Sequence, residues 1–268
     1  MKKKFKLGVI GAGYMSSSII LSAIDSKALK KNQVLVSDIN DLQLEKFSKL
    51  SVATTKDNVY LANNCEFVFF AVKPQNISQI LDQIKECRCN KFISIMAGIK
   101  KQTIKNVFPN SLVARCMPNA PCAVKNGAVG IDFSDYIDNS DILFIKSIFM
   151  CSSDVISVKE ELLNAVTGIS GSAPAYFYLF VKGIIDSGVN NGLTIEQAKR
   201  LAVNTMIGSG KMLLKNDDKT IDELVDSVCS KGGTTIEAVK IFKDEGLNDI
   251  TSKAIDACIK RSFELENL

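Results

Sequence analysis

The chain is 268 residues long, 46% hydrophobic and 23% charged, with a formal net charge of +4 and no histidine. That is the make-up of a globular protein with room for one large or two ordinary domains. The positive balance is mild and evenly spread, which gives no ground for a nucleic-acid partner, and no apolar run approaches the ~20 residues of a membrane span.

The opening residues MKKKFKLGVIGAG join a basic start to an apolar stretch, as a secretory leader does. Gly8, Gly11 and Gly13 interrupt that stretch in a pattern with a mechanism of its own, so KLGVIGAG (residues 6–13) reads as a strand and the residues to about 26 as a helix. Further strands are expected at VLVSD (34–38), CEFVFFAVKP (65–74), FISIMAG (92–98) and LVARCMPN (112–119), with a helix over 75–86. β-Branched strands that alternate with helices predict a doubly wound parallel sheet covered on both faces.

Beyond about residue 163 the strand pattern stops. Helix-length segments follow at 174–190, 195–214, 221–228, 235–244 and 248–266, with Thr194 as an N-cap and Gly192 closing the helix before it. The fold class is therefore α/β, a Rossmann-type sheet domain over residues 1–162 and then an all-α domain over 163–268. Apolar residues cover most of the helix around AYFYLFV (175–181), and a helix apolar all round must be buried. A domain of this size has little depth to hide it, so the α domain is expected to dimerise.

The eight cysteines form no CxxC pair and have no histidine to complete a zinc site. They read as reduced thiols in a cytoplasmic protein, with no metal expected.

The first strand runs into Gly11-Ala12-Gly13-Tyr14-Met15-Ser16, a dinucleotide fingerprint with serine in place of the third glycine. Gly11 permits the tight turn, Gly13 lets the backbone approach a pyrophosphate, and the helix after it offers amides to the anion. The second strand ends at Asp38, 27 positions after Gly11 where about 20 is usual. Such an acid bonds the ribose 2′-hydroxyl of NAD and repels the 2′-phosphate of NADP; Asp38 reads equally as a solvated turn residue. Ser37 beside it is a candidate phosphate contact. Two more strand ends, Ala71-Val72-Lys73-Pro74 and Met96-Ala97-Gly98, point at the same crevice, and Lys73 is placed to approach a ribose or phosphate.

Six stretches taken together carry a family resemblance: VIGAGYM, AVKP, RCMPNAP (115–121), AVTGISGSAPAYFY (165–178), GSGKMLL (208–214) and VCSKGGTTIEAV (228–239). In order and over the whole chain, they resemble Δ1-pyrroline-5-carboxylate reductase, which makes proline by reducing a cyclic imine. The resemblance implies NADPH or NADH as cofactor, set against Gly11 to Met15, Asn58, Val72, Lys73, Ala97 and, in the RCMPNAP run, Asn119. It implies a homodimer through the C-terminal domain, gathered into decamers in some members, and no membrane or nucleic-acid partner. It also places the substrate near Glu160 and the SKGGTT loop, with the Thr235 hydroxyl on the ring nitrogen. The amides of Gly232, Gly233 and Thr234 then suit the substrate carboxylate. Since a protonated imine is already electrophilic, no histidine is needed.

Four positions depart from the family's usual residues: Ser16 stands for the third glycine, Lys182 for an acid, Ser227 for asparagine and Lys231 for proline. None removes a group given a chemical role. Two rival readings are weaker. A β-hydroxyacid dehydrogenase needs an acid–base lysine after its glycine motif, and counting from Gly168 and Gly171 that position is Phe177. A non-catalytic, regulatory paralogue would be expected to have lost the SKGGTT loop or Glu160, and both are present.

Overall fold

A computed structural model of the chain describes residues 3–266. The first strand, β1 (Phe5–Ile10), is buried along nearly its whole length and feeds α1 (Tyr14–Asp25) through the glycine turn. β2 (Val34–Ser37), α2 (Asp41–Ser48), β3 (Ala53–Thr55), α3 (Asn58–Asn64) and β4 (Cys65–Phe70) complete the first winding. α4 (Ile77–Ile84), β5 (Lys91–Ser94), α5 (Lys101–Lys105) and β6 (Leu112–Pro118) extend it. β7 (Gly127–Asp132), α6 (Asn139–Met150) and β8 (Ser153–Ser157) close the sheet, and α7 (Leu163–Val166) with a π-turn over Thr167–Gly171 leads out of it.

The eight strands lie in the order β3-β2-β1-β4-β5-β6-β7-β8. β1 pairs in parallel with β2 on one side and β4 on the other, with Ile10 level with both Ser37 and Phe70. The order reverses there, so the carboxyl ends of β1, β2 and β4 open a crevice, the place where open α/β sheets bind ligands. Side chains alternate across the sheet: Phe67 and Phe69 join the core under α1 and α6, whereas Val68 and Phe70 join that under α3, α4 and α5. Each fully buried phenylalanine contributes about 1.5–3 kcal/mol.

Three strands lie where none was expected from the sequence, namely β3, β7 and β8. β7 runs antiparallel to β6, and β8 parallel to β7, so the far edge of an otherwise parallel sheet is reversed.

The remaining helices are α8 (Ala173–Asn190), α9 (Ile195–Lys215), α10 (Ile221–Ser227), α11 (Thr234–Asp244) and α12 (Leu247–Leu265), within a residue or two of the sequence-based expectation. Thr194 and Gln197 form a reciprocal capping box at the start of α9, as Thr220 and Glu223 do at α10, and Gly192 takes φ +93° after α8. By packing, the chain divides into residues 1–172 with 258–268 and a second unit of 173–257. This places the split later than the sequence pattern does and assigns the last turns of α12 to the sheet unit. There Ser262 donates to Asn164 at 2.6 Å.

The second unit has almost no interior of its own. Its buried apolar residues are Ala173, Val181, Ala198 and Ala202, while Phe177, Tyr178, Leu179, Phe180 and Ile184 of α8 are 46–73% exposed. A stable helical body would bury such residues, so these faces need a partner surface.

Candidate active site

The turn between β1 and α1 has the geometry its glycines imply. Gly11 sits at φ +101°, and a Cβ there would lie 2.6 Å from the Ala71 carbonyl oxygen. Around Gly13 there is no atom within 4 Å of a built Cβ, so the backbone faces open space. Gly13 is also the N-cap of α1 with no side-chain cap, which leaves the first amides of a twelve-residue helix for a ligand. Ser16, in the third-glycine position, is buried and donates its hydroxyl to Gly11 O at 2.6 Å; Ser17 donates to Ala12 O at 3.0 Å. The hydroxyl thus ties the helix start to the loop where glycine would have permitted close contact.

Asp38 belongs to the same turn. Its Oδ2 accepts the Ala12 amide at 2.7 Å and its Oδ1 accepts the Asn40 amide at 2.8 Å, so the carboxylate is fixed by two backbone donors. Ser37 is buried and donates to Asn58 Oδ1 at 2.7 Å, and Asn58 Nδ2 donates to Gln83 at 3.0 Å. These residues share a cleft of about 630 Å³, with Gly11, Gly13, Ser37, Asp38, Asn58, Val72 and Lys73 on its walls.

The other expected cofactor residues lie elsewhere. Ala12 is buried behind the turn, and Tyr14 is 67% exposed at the first position of α1. Met15 packs its sulfur 3.5 Å from Cys122, and Ala97 is exposed beyond β5. Asn119 is buried, accepting from Ala128 N at 2.9 Å and donating to Ser170 at 3.1 Å. The cleft adds residues not picked out from the sequence, notably Ile39, Asn40, Lys56, Gln79 and Gln83. The signal for Asn40 was its place just after the acid, at the N-cap of α2.

Glu160 is held in a buried ionic network in the sheet unit. Its Oε1 accepts from the Lys101 amide at 2.8 Å and from Arg115 Nη1 at 3.2 Å, and its own amide donates to Asp132 at 2.6 Å. Arg115 Nη2 donates to Glu266 at 2.6 Å, which ties the end of α12 to β6. Lys101 Nζ reaches Asp132 at 2.8 Å, Ser134 at 2.7 Å and Asp135 at 2.9 Å. Burial alone would push the Asp132 carboxyl up, but Lys101 and Ser134 outweigh it and hold it below the usual carboxylate range. Burial likewise opposes the charge on Lys101, and Asp132 with Asp135 overcome it and raise its pKa. Glu266 is lowered too, because Asn164 and Arg115 outweigh its burial. The spacing of Arg115 and Glu266, far apart in sequence, gave no sign of this pairing.

In the helical unit, SKGGTT forms a turn into α11. Gly232 takes φ +73°, and the Gly233 amide donates to Ser230 O at 2.9 Å. That amide is engaged within the turn and is not a free member of an anion cradle. Gly233 is the N-cap of α11 without a side-chain cap, so the open amides are those of Thr234, Thr235 and Ile236. All eight cysteines are free thiols, and burial pushes Cys65 up to about 12. No cluster among the described residues could hold a metal ion, and no helix of theirs is long and apolar enough to cross a membrane.

Comparison with known proteins bears on both units. A family model described as "Pyrroline-5-carboxylate reductase dimerisation" matches residues 160–265, and one described as "NADP oxidoreductase coenzyme F420-dependent" matches residues 6–98. A pyrroline-5-carboxylate reductase from Synechocystis is 33% identical over 97% of this chain and 98% of its own length. The structure of a pyrroline-5-carboxylate reductase from Coxiella burnetii superposes with a TM-score of 0.90 at 29% identity, covering 98% of this chain and 99% of that one. A pyrroline carboxylate reductase from Plasmodium falciparum, crystallised with NADP bound, superposes at 0.87 with 27% identity over 99% of this chain and 100% of that one. With a fingerprint turn at one end, a dimerisation module at the other, and likeness along nearly the whole chain, the protein belongs to the pyrroline-5-carboxylate reductase family.

Proposed function

We propose that this protein reduces Δ1-pyrroline-5-carboxylate to L-proline, with NADH or NADPH as reductant, as the last step of proline formation. The observation that carries the reading in this chain is the β1–α1 turn. Gly11 has no room for a side chain, and Gly13 faces open space at an uncapped helix start. A pyrophosphate fits there by charge and by hydrogen bonding.

A bound nicotinamide would supply the hydride for the imine carbon, so that the C=N bond would become single with a proton left on the ring nitrogen. Everything else is the work of this chain's residues. Gly11 and Gly13 seat the pyrophosphate with Tyr14 and Met15 flanking it, and Asn58, Val72, Lys73, Ala97 and Asn119 bear on the rest of the dinucleotide. The amides at the start of α11, with Gly232 and Gly233 shaping the turn, receive the substrate carboxylate; Lys231 beside them favours an anion. Thr235 orients the ring nitrogen through its hydroxyl and passes it a proton taken from water. Glu160 has a second carboxylate oxygen that makes none of the bonds given above, and that oxygen is the one offered to substrate. Orientation of this kind supplies about 7–11 kcal/mol at most, which suffices for an imine that is electrophilic once protonated.

The enzyme acts as a homodimer. A cavity of about 810 Å³ between α8, α11 and α12 is lined by Leu179, Phe180, Ile184, Phe242 and Ile250, all substantially exposed in a single chain. The same helices of a second copy are the occupant, and higher assembly to a decamer builds on that dimer. Eight unpaired thiols suit a reducing compartment, and the cytoplasm is where we place the reaction. The relatives' names are all those of enzymes, which leaves a non-catalytic role without support.

Purified protein given pyrroline-5-carboxylate should oxidise NADH or NADPH and yield proline. Thr235→Ala should lower kcat by about 10²-fold, and Thr235→Ser should recover most of it. A folded protein that turns over equally well with alanine at 235 would remove Thr235 from the chemistry.

A further inference from the structure

The end of β2 lines the cleft read above as the dinucleotide site. NAD and NADP differ only at the adenosine ribose, where one carries a 2′-hydroxyl and the other a 2′-phosphate. Three observations bear on which of them this cleft prefers.

First, Asp38 is fixed. The Ala12 amide reaches one oxygen at 2.7 Å and the Asn40 amide the other at 2.8 Å, so the carboxylate cannot swing away without losing both bonds. Lone pairs remain on both oxygens, enough to accept from a ribose hydroxyl. Second, no cation directly follows the acid. The turn that follows is Ile39-Asn40-Asp41, without lysine or arginine, and Lys56 on the rim is already paired with Asp41 at 2.8 Å. Lys73 follows β4, and β1 separates that strand from β2. Two strand spacings set the end of β4 about 10 Å from the end of β2. Third, the neighbouring hydroxyl is engaged. Ser37 donates it to Asn58 at 2.7 Å.

We propose that Asp38, held by the Ala12 and Asn40 amides, is the specificity-determining residue that makes NADH the preferred reductant over NADPH. A ribose 2′-hydroxyl meets a fixed acceptor, while a 2′-phosphate meets a carboxylate with no cation in the turn that carries it. The proposal rests on the reading of the cleft as the dinucleotide site, given above.

The test is direct binding without substrate. Calorimetric titration of the full-length protein with NAD⁺, NADP⁺, ADP-ribose and 2′-phospho-ADP-ribose separates recognition from turnover. The wild type should bind each unphosphorylated ligand at least about tenfold more tightly than its phosphorylated partner, the scale of a like-charge mismatch. Asp38→Asn, which still offers an amide oxygen to one backbone donor, should narrow that ratio by tightening the phosphorylated ligands. Asp38→Ser with Ile39→Arg should invert it. Equal or tighter binding of NADP⁺ by the wild type overturns the proposal, and needs no variant to fold. So does an Asp38→Asn protein, folded by circular dichroism, that weakens all four ligands alike, since that is a purely structural role. Failure of all four ligands to bind overturns the dinucleotide reading itself and the proposal with it.

Discussion

Replacing Lys101 by methionine removes an ammonium group that is 8% exposed from between two carboxylates that are 3% and 10% exposed. Breaking a buried ion pair by deleting one partner costs about 3–5 kcal/mol, because the other charge is left without compensation. Asp132 keeps bonds from Ser134 and from the Glu160 amide, and Asp135 keeps Lys105 and the Val113 amide. The expected loss is therefore about 3 kcal/mol, the lower end of that range. At fixed protein concentration this lowers Tm by about 6–12 °C for a chain of this size. Lys105→Met is the control: it deletes the 30%-exposed partner of Asp135 alone and should cost below about 1 kcal/mol.

The pH dependence gives a second arm. Asp132, Asp135 and Glu266 all have folded pKa values below their unfolded ones. The stability they contribute is present above about pH 4 and is lost as pH falls through the lower folded values. Without Lys101, Asp132 loses the ammonium that most opposes its burial, so the variant's deficit should be largest at neutral pH and shrink on acidification. Urea unfolding at neutral pH and near pH 4 measures both. A deficit below about 1 kcal/mol, or one that does not narrow on acidification, would refute the view that the network is held together by charge.

Two glycines in one turn should behave in opposite ways. Gly11→Ala forces a side chain into a φ of +101° and to within 2.6 Å of the Ala71 carbonyl, and should destabilise the fold by at least about 2 kcal/mol. Gly13→Ala meets no protein atom, so stability should stay within about 1 kcal/mol of wild type while dinucleotide affinity falls at least about tenfold. Urea titration and calorimetry distinguish the two. On α8, Leu179→Glu places a charge where the side chain is 73% exposed in one chain, and should convert a dimer to monomer in analytical ultracentrifugation. An unchanged sedimentation coefficient would remove that face from the interface.

Much of the sheet was legible because its central strands are continuous apolar runs ended by Gly, Pro or a turn residue. β3, β7 and β8 were not. β3 has three half-buried residues, too few for a period. β7 carries glycines whose reason is tertiary: a Cβ at Gly127 would lie 2.5 Å from Ser153 Oγ, and one at Gly130 2.9 Å from Val166. Those glycines permit close packing and at the same time erase the β-propensity that marks a strand. The antiparallel turn at β7 had no local signature either. The helical half was legible nearly to the residue, since its caps are side-chain motifs read directly from the sequence.

In the site, the residues carried by backbone geometry were the readable ones. Gly11 and Gly13 announce a turn, and Asp38 announces the end of a strand, but only coordinates reveal that the Asp38 carboxylate is clasped by the Ala12 and Asn40 amides. Glu160 was named only through the family resemblance, while its bonds to Arg115 on β6 and Lys101 at the start of α5 join segments far apart in sequence. The SKGGTT loop was correctly placed at a helix start, yet which of its amides stay open depended on one turn bond, from Gly233 to Ser230.

The most direct test of the reductase reading follows the transferred atom. Pyrroline-5-carboxylate would be incubated with the protein and dinucleotide deuterated at nicotinamide C4, and the proline formed would be analysed by mass spectrometry and NMR. The account predicts one deuterium per proline when the transferred position is labelled, located on Cδ, the carbon that carried the C=N bond, with one dinucleotide oxidised for each proline. Proline without the label, or dinucleotide oxidised with no proline formed, would contradict it.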